Sequence, residues 1–155
     1  MRARDLAEPY PTVGLDAQAL DAARLLAEHR LPGVLVVDAA GAPRALLPAS
    51  QLVKLLVPGY VLEDPTLAAV IDEAHADRLC EALAGLRVRQ CLPRDAPAPA
   101  VADADDTAVE IAALMARTRS PLVAVLEHAS AGNGNGPLLG VITASHLLHR
   151  LLGNP

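Results

Sequence analysis

Thr143 and His146 stand three residues apart, where an apolar run gives way to a helical repeat in Leu138-Leu139-Gly140-Val141-Ile142-Thr143-Ala144-Ser145-His146-Leu147-Leu148. The β-branched residues after a Gly/Asn/Pro turn favour a buried strand. Thr143 then offers an N-cap hydroxyl, and Leu147, Leu148, Leu151 and Leu152 recur at helical spacing. A strand that feeds directly into a helix leaves backbone N–H groups at the junction, which attract anions and sugar hydroxyls. The pattern recurs in Ala45-Leu46-Leu47-Pro48-Ala49-Ser50-Gln51-Leu52, so Pro48 and Gln51 stand where Thr143 and His146 do. Other groupings carry less chemistry. His146 and His149 have a spacing that can hold a metal, but no carboxylate or thiol in this segment completes a site. Asp103, Asp105 and Asp106 fit the start of a helix. Ser50 and Ser145 have no evident base, and no nucleophile-elbow, zincin or P-loop pattern occurs. Neither catalysis nor a metal centre is expected.

Composition narrows the function classes. Of 155 residues, 52% are hydrophobic, which suffices for one compact domain or two small halves. There is no Phe and no Trp, so Leu, Val, Ala and Ile must pack the core and stacking platforms for single-stranded nucleic acid are scarce. A net charge of −5 argues against a general nucleic-acid or anionic-membrane binder. The charged opening shows no signal peptide, and no apolar run approaches the roughly 18–20 residues of a membrane span. A cytoplasmic protein without direct membrane insertion is expected. Cys80 and Cys91 have no metal-knuckle spacing and read as reduced, partly buried side chains.

The elements that must position these residues occur twice. Thr12-Val13 forms a very short strand, and Asp16 is a good N-cap for a helix with Leu20, Ala23, Leu26 and Ala27 on its apolar face. Pro32-Gly33 ends it, Val34–Val37 is a buried strand, Ala45–Leu47 the next, and a helix runs from about Ala49 to Leu56. The second half repeats this order at a constant offset of 89, from Asp16 and Asp105 through Ala23 and Ala112, Pro32 and Pro121, to Val36 and Val125. The offset grows to 95 at the last strand, because Ala129–Gly136 is inserted as a Gly/Asn loop where insertions cost little. The Pro-rich opening of the second half, Ala96 to Ala100, is also slightly longer than its counterpart. Between the halves, Asp64-Pro65 starts a helical connector whose Leu67, Val70, Ile71, Ala74, Leu79 and Leu83 form an amphipathic face. The division is 1–57 for the first repeat, 58–86 for the connector and 87–155 for the second repeat.

A duplicated strand–helix–strand–strand–helix unit of about 60 residues resembles the cystathionine-β-synthase (CBS) domain, and the tandem resembles a Bateman module. Asp16 to Leu26, His29-Arg30-Leu31-Pro32 and Val34 to Asp38 carry the resemblance in the first repeat. Asp105 to Met115, Ser120-Pro121-Leu122-Val123 and Gly140-Val141-Ile142-Thr143 carry it in the second. The fold class implied is α/β (α+β), with two repeats packed through their sheets about a pseudo-twofold axis and two clefts between them.

The resemblance also implies a function. Many members bind adenosine nucleotides or S-adenosylmethionine in the clefts, pair into dimers, and regulate an enzyme or transporter. Adenosyl-binding members end the last strand with Thr or Ser followed three residues later by Asp. Here Thr143 is followed by His146, and Pro48 by Gln51, so neither repeat keeps the full pair. Phosphate-binding members carry basic residues before the Pro that opens the second strand, a place held here by His29-Arg30 and by Arg119. Two such guanidinium groups could converge on one polyphosphate. The candidate ligand-binding set is Thr12, Val13, His29, Arg30, Gln51, Val101, Arg119, Thr143 and His146. The expected function is a standalone regulatory module that senses AMP, ADP, ATP or S-adenosylmethionine, requires no cofactor, and regulates a partner enzyme or transporter. The alternative is a ligand-free pair serving as a dimerisation or docking scaffold. A homodimer is expected through Ala22-Ala23 with Leu26 and Ala112-Ala113 with Met115.

Overall fold

Residues 1–70, 73–76, 78–96, 98–128 and 136–153 are described by a computed structural model. The first half contains α1 (Ala3–Leu6), β1 (Thr12–Gly14), α2 (Ala19–His29), β2 (Gly33–Val37), β3 (Pro43–Pro48) and α3 (Ala49–Leu56). The second contains α6 (Val88–Cys91), β4 (Val101–Asp103), α7 (Ala108–Thr118), β5 (Leu122–Leu126), β6 (Leu138–Thr143) and α8 (Ala144–Leu151). Each half forms a three-stranded sheet whose central strand pairs parallel to the first and antiparallel to the third. Even the register irregularity is duplicated, between Val36 and Val37 and between Val125 and Leu126. The mixed α/β class and the two-repeat arrangement therefore hold, with Val34–Val37 and Leu122–Leu126 in the central strands.

Each half has its own aliphatic core, built around Val34, Val36 and Leu47 in the first and around Val123, Val125 and Ile142 in the second. A third cluster, containing Leu35, Leu122, Ala124 and Val141, lies where the two sheets meet. Alternation along a strand explains this, since β2 turns Val34 and Val36 to its helices and Leu35 to the other sheet.

The two halves exchange their opening helices. Ala3 and Leu6 of α1 are fully buried in the second core, while Val88 and Cys91 of α6 are buried in the first. The contacts match pair by pair. Arg4 meets Asp105 at 2.8 Å, and Arg89 meets Asp16 at 2.7 Å. The Arg4 and Arg89 backbone N–H groups donate to the carbonyls of Ala104 and Leu15, both at 2.9 Å. The packing thus crosses the division drawn along the chain at residue 87.

Several expectations need correction. Asp16 does not cap α2, because its carboxylate is engaged by Arg89. The N-cap residue is Gln18, which makes no side-chain cap bond. Asp105 likewise goes to Arg4, and Thr107 caps α7 through a reciprocal pair with Glu110. In the connector, α4 (Gly59–Glu63) precedes a 3₁₀ helix, Pro65–Val70, rather than an α-helix begun at Pro65. Val70 is 76% exposed, and Leu83 is the connector's anchor in the first core. Its position follows α5 (Glu73–Ala76), within the 3₁₀ helix Leu79–Leu83. Ile71 and most of the Gly/Asn loop lie outside the described residues. Cys91 is buried, whereas Cys80 is exposed. Ala22, Leu26 and Met115, proposed for a dimer face, are buried in their own repeats. No helix among the described residues is long and apolar enough to cross a membrane.

The carboxylates that fasten this arrangement make it acid-sensitive. Arg89 holds Asp16 below its ordinary value of 3.8, the Ala42 N–H does the same for Asp38, and the Thr107 N–H holds Glu110 below 4.5. Their contribution is therefore complete above those ordinary values and is lost as pH falls through the lowered ones. The urea midpoint is expected to fall between about pH 5 and pH 2, less steeply in Asp16→Asn. A flat midpoint, or an Asp16→Asn profile parallel to wild type, would contradict this.

Candidate functional site

An open cleft of about 470 Å³ lies between the repeats. The first repeat contributes Leu46 and Pro48 from β3 with Ser50 and Gln51 from α3. The second contributes Thr118 to Pro121, the turn from α7 into β5. Pro93, Ala96 and Ala98 to Ala100 form the remaining wall, which is apolar and without aromatic rings.

Local chemistry gives this cleft an anion-attracting end. Pro48 is the N-cap residue of α3 and supplies no side-chain cap, because it has neither hydroxyl nor amide. The Ala49 N–H donates to the Pro32 carbonyl at 2.9 Å, and no side chain caps the N–H groups that follow it. Arg119 reaches the same cleft from the other repeat, exposed and without an ionic partner among the described residues. It sits at the C-cap of α7 with φ 53°, and Arg30 sits at the C-cap of α2 with φ 51°. Both occupy the left-handed region where Gly is the easier residue.

Gln51 is oriented by its neighbour. Its Nε2 donates to the Cys91 carbonyl at 3.1 Å. A carbonyl needs a donor, so the amide orientation is fixed by chemistry and Oε1 is left as the acceptor. Such an acceptor suits a ribose hydroxyl or an exocyclic amine.

The other sequence-selected residues are dispersed. Thr12 lines a different hollow of about 510 Å³ beside Gly41 and Leu138, near the hairpin turns. Val13 packs on the first core and Val101 on the inter-sheet cluster. His29 and Arg30 are exposed at the end of α2, outside the open cleft. Thr143 accepts from the His146 N–H at 3.3 Å and so caps α8. The His146 Nδ1 lies 3.5 Å from Glu8 Oε1. The open cleft thus takes Arg119 with Gln51 and leaves out Arg30, so the two guanidinium groups do not line one pocket. Sequence reasoning missed the wall of Pro93, Ala96 and Ala98 to Ala100. Its only signal was the longer Pro-rich opening of the second half. Among the described residues no group of three His, Cys, Asp or Glu side chains is placed to hold a metal ion.

Comparison with known proteins places this geometry. The CBS domain family model matches residues 94–153. No curated protein matches the chain. The crystal structure of the CBSX2 pair from Arabidopsis thaliana superposes with a TM-score of 0.71 at 18% identity, covering 97% of this chain and 94% of that one. CBSX2 in complex with AMP superposes with a TM-score of 0.66, also at 18% identity, covering 97% and 96%. A CBS domain-containing protein of unknown function from Kribbella flavida is 48% identical, covers 99% of both chains, and superposes with a TM-score of 0.88. With that identity across both repeats, this chain belongs to the CBS domain family, as a tandem CBS pair.

Proposed function

We propose that the pair is a regulatory module that binds an adenine nucleotide in the open cleft and passes the bound state to a partner protein. One observation carries this reading. Arg119 from one repeat and the α3 N-terminus, uncapped by any side chain, from the other line the same cleft. A phosphate is the anion best matched to a guanidinium beside helix N–H groups. Gln51 Oε1 then serves a ribose hydroxyl or the base amine, and the Pro/Ala wall offers the base an apolar surface. CBSX2, which shares the fold, has been crystallised with AMP. Because the ligand would touch both repeats, binding would couple their relative positions, which is how such a module signals to an enzyme or transporter.

Titration calorimetry with adenosine, AMP, ADP and ATP tests the reading. The phosphorylated ligands are expected to bind at least about tenfold more tightly than adenosine, because charge-assisted bonds are roughly twice as strong as neutral ones. Affinity should weaken with added salt, and the melting temperature should rise with AMP. Equal affinity for adenosine and AMP would remove the phosphate role.

The second reading is a scaffold that binds no nucleotide and works through a second copy or a partner. It draws on the exposed apolar side chains of Leu148, Leu151 and Leu152 at the end of α8. No heat and no thermal shift with any of these ligands would favour it.

A further inference from the structure

The pseudo-twofold axis defines a second cleft whose parts correspond to those of the open one. Val141 replaces Leu46, Thr143 replaces Pro48, His146 replaces Gln51, and His29 to Pro32 replace Thr118 to Pro121. The segment leading into the first strand differs most. Eight residues, Pro93 to Ala100, precede β4 in the second half, whereas only four, Glu8 to Pro11, hold the corresponding place before β1.

That short segment is pulled across the second cleft. The Glu8 N–H donates to the Val141 carbonyl at 3.0 Å, and the Val141 N–H donates back to Glu8 at 2.9 Å. The approach is so close that a Cβ on Gly140 would lie 2.6 Å from the Glu8 carbonyl oxygen. Tyr10, held between Pro9 and Pro11, packs against the cluster of Leu35, Leu122, Ala124 and Val141. Its hydroxyl donates to the Gly33 carbonyl, next to Pro32, at 2.7 Å.

We propose that the second cleft is a second nucleotide site kept closed by the chain itself, with Tyr10 as its internal occupant. Apart from Arg30, the groups that stand open in the first cleft are engaged here. Tyr10 packs half-buried on the cluster between the sheets, Thr143 accepts from the His146 N–H of the α8 N-terminus, and Glu8 faces His146 with a charge that repels phosphate. Arg30 alone keeps its guanidinium without a partner among the described residues. This inference rests on nucleotide binding in the open cleft, and its consequence is one nucleotide per chain.

The experiment is calorimetric titration of AMP into wild type, Arg119→Ala, Arg30→Ala, Tyr10→Phe, Tyr10→Ala and Tyr10→Ala/Arg30→Ala. Wild type is expected to bind one AMP, at least tenfold more weakly in Arg119→Ala and within twofold in Arg30→Ala. Tyr10→Phe, which keeps the ring, stays at one. Tyr10→Ala binds two, and adding Arg30→Ala removes the second. Two AMP per wild-type chain, or one in a folded Tyr10→Ala, would overturn the inference. Should Tyr10→Ala fail to fold, the contrast between Arg30→Ala and Arg119→Ala in the wild-type background decides. A ligand-free readout separates this from failure of the nucleotide reading. In Tyr60→Phe, ultraviolet titration reports Tyr10 alone, and the half-buried phenol should ionise above its ordinary value of 10.0. Ionisation at the ordinary value would mean that the ring is not seated in the cleft, whatever AMP does.

Discussion

Leu6→Ala is expected to destabilise the whole protein by about 2–5 kcal/mol, the range for truncating a buried leucine, although the site lies in a helix of only four residues. Leu6 is fully buried, not within the repeat that its sequence opens but in the core of the other, with Ile111, Val123 and Ile142. A four-residue helix has no stability of its own. Whatever holds α1 must come from this packing and from its ladder to Ala104 and Asp106. Removing the side chain therefore leaves a cavity in the second core and loosens the strap that reaches Glu8 and Tyr10. Urea unfolding at constant m-value measures the effect, with the exposed Val70→Ala as a control expected within about 0.5 kcal/mol of wild type. A Leu6→Ala cost below about 1 kcal/mol would show that α1 is detached in solution.

That exchange marks where the sequence stops being readable. The duplicated βαββα order was legible because long apolar patterns recur at an offset of 89, and α3 was bounded by Pro48 and by the end of its leucine repeat. Helices of four residues leave no periodicity to detect, and nothing local to Arg4 or Arg89 names partners about a hundred and about seventy residues away. The same limit misassigned the caps. Asp16 and Asp105 are good N-cap residues by type, but a guanidinium from the other half competes for each carboxylate and wins. The connector misled because Leu67, Val70 and Leu79 are spaced for a helix face, although among the described residues of that face only Leu83 is buried in a core. At the site, Arg119 and Gln51 were found from the repeat. Their meeting in one cleft without Arg30, and the seating of Tyr10 in the other, depend on tertiary geometry that spacing does not encode.

Arg119→Gly is expected to move stability and affinity in opposite directions. Arg119 holds a left-handed backbone with φ 53° at the end of α7. An L-residue there costs roughly 1–2 kcal/mol, and glycine escapes that cost while losing about 0.5–1 kcal/mol to chain entropy. The net is a gain of up to about 1.5 kcal/mol in folding stability. The guanidinium, however, is the only fixed cationic group lining the open cleft among the described residues. Losing a hydrogen bond to a charged phosphate costs about 1.5–3 kcal/mol, roughly 10- to 150-fold in affinity for AMP. Arg119→Ala separates the two effects, since it keeps the strained backbone and removes the charge. It should bind as poorly as Arg119→Gly and melt close to wild type. Arg30→Gly supplies the converse, because φ 51° gives it the same backbone gain while its cleft is closed. It should melt higher than wild type and bind AMP unchanged. Melting curves and AMP titrations of these three variants decide the matter. A less stable Arg119→Gly would mean that the left-handed turn is not a burden, and undiminished affinity would mean that the phosphate lies elsewhere. The pattern expected instead is that both repeats keep a costly arginine at the same turn, and only the one facing an open cleft returns that cost as binding.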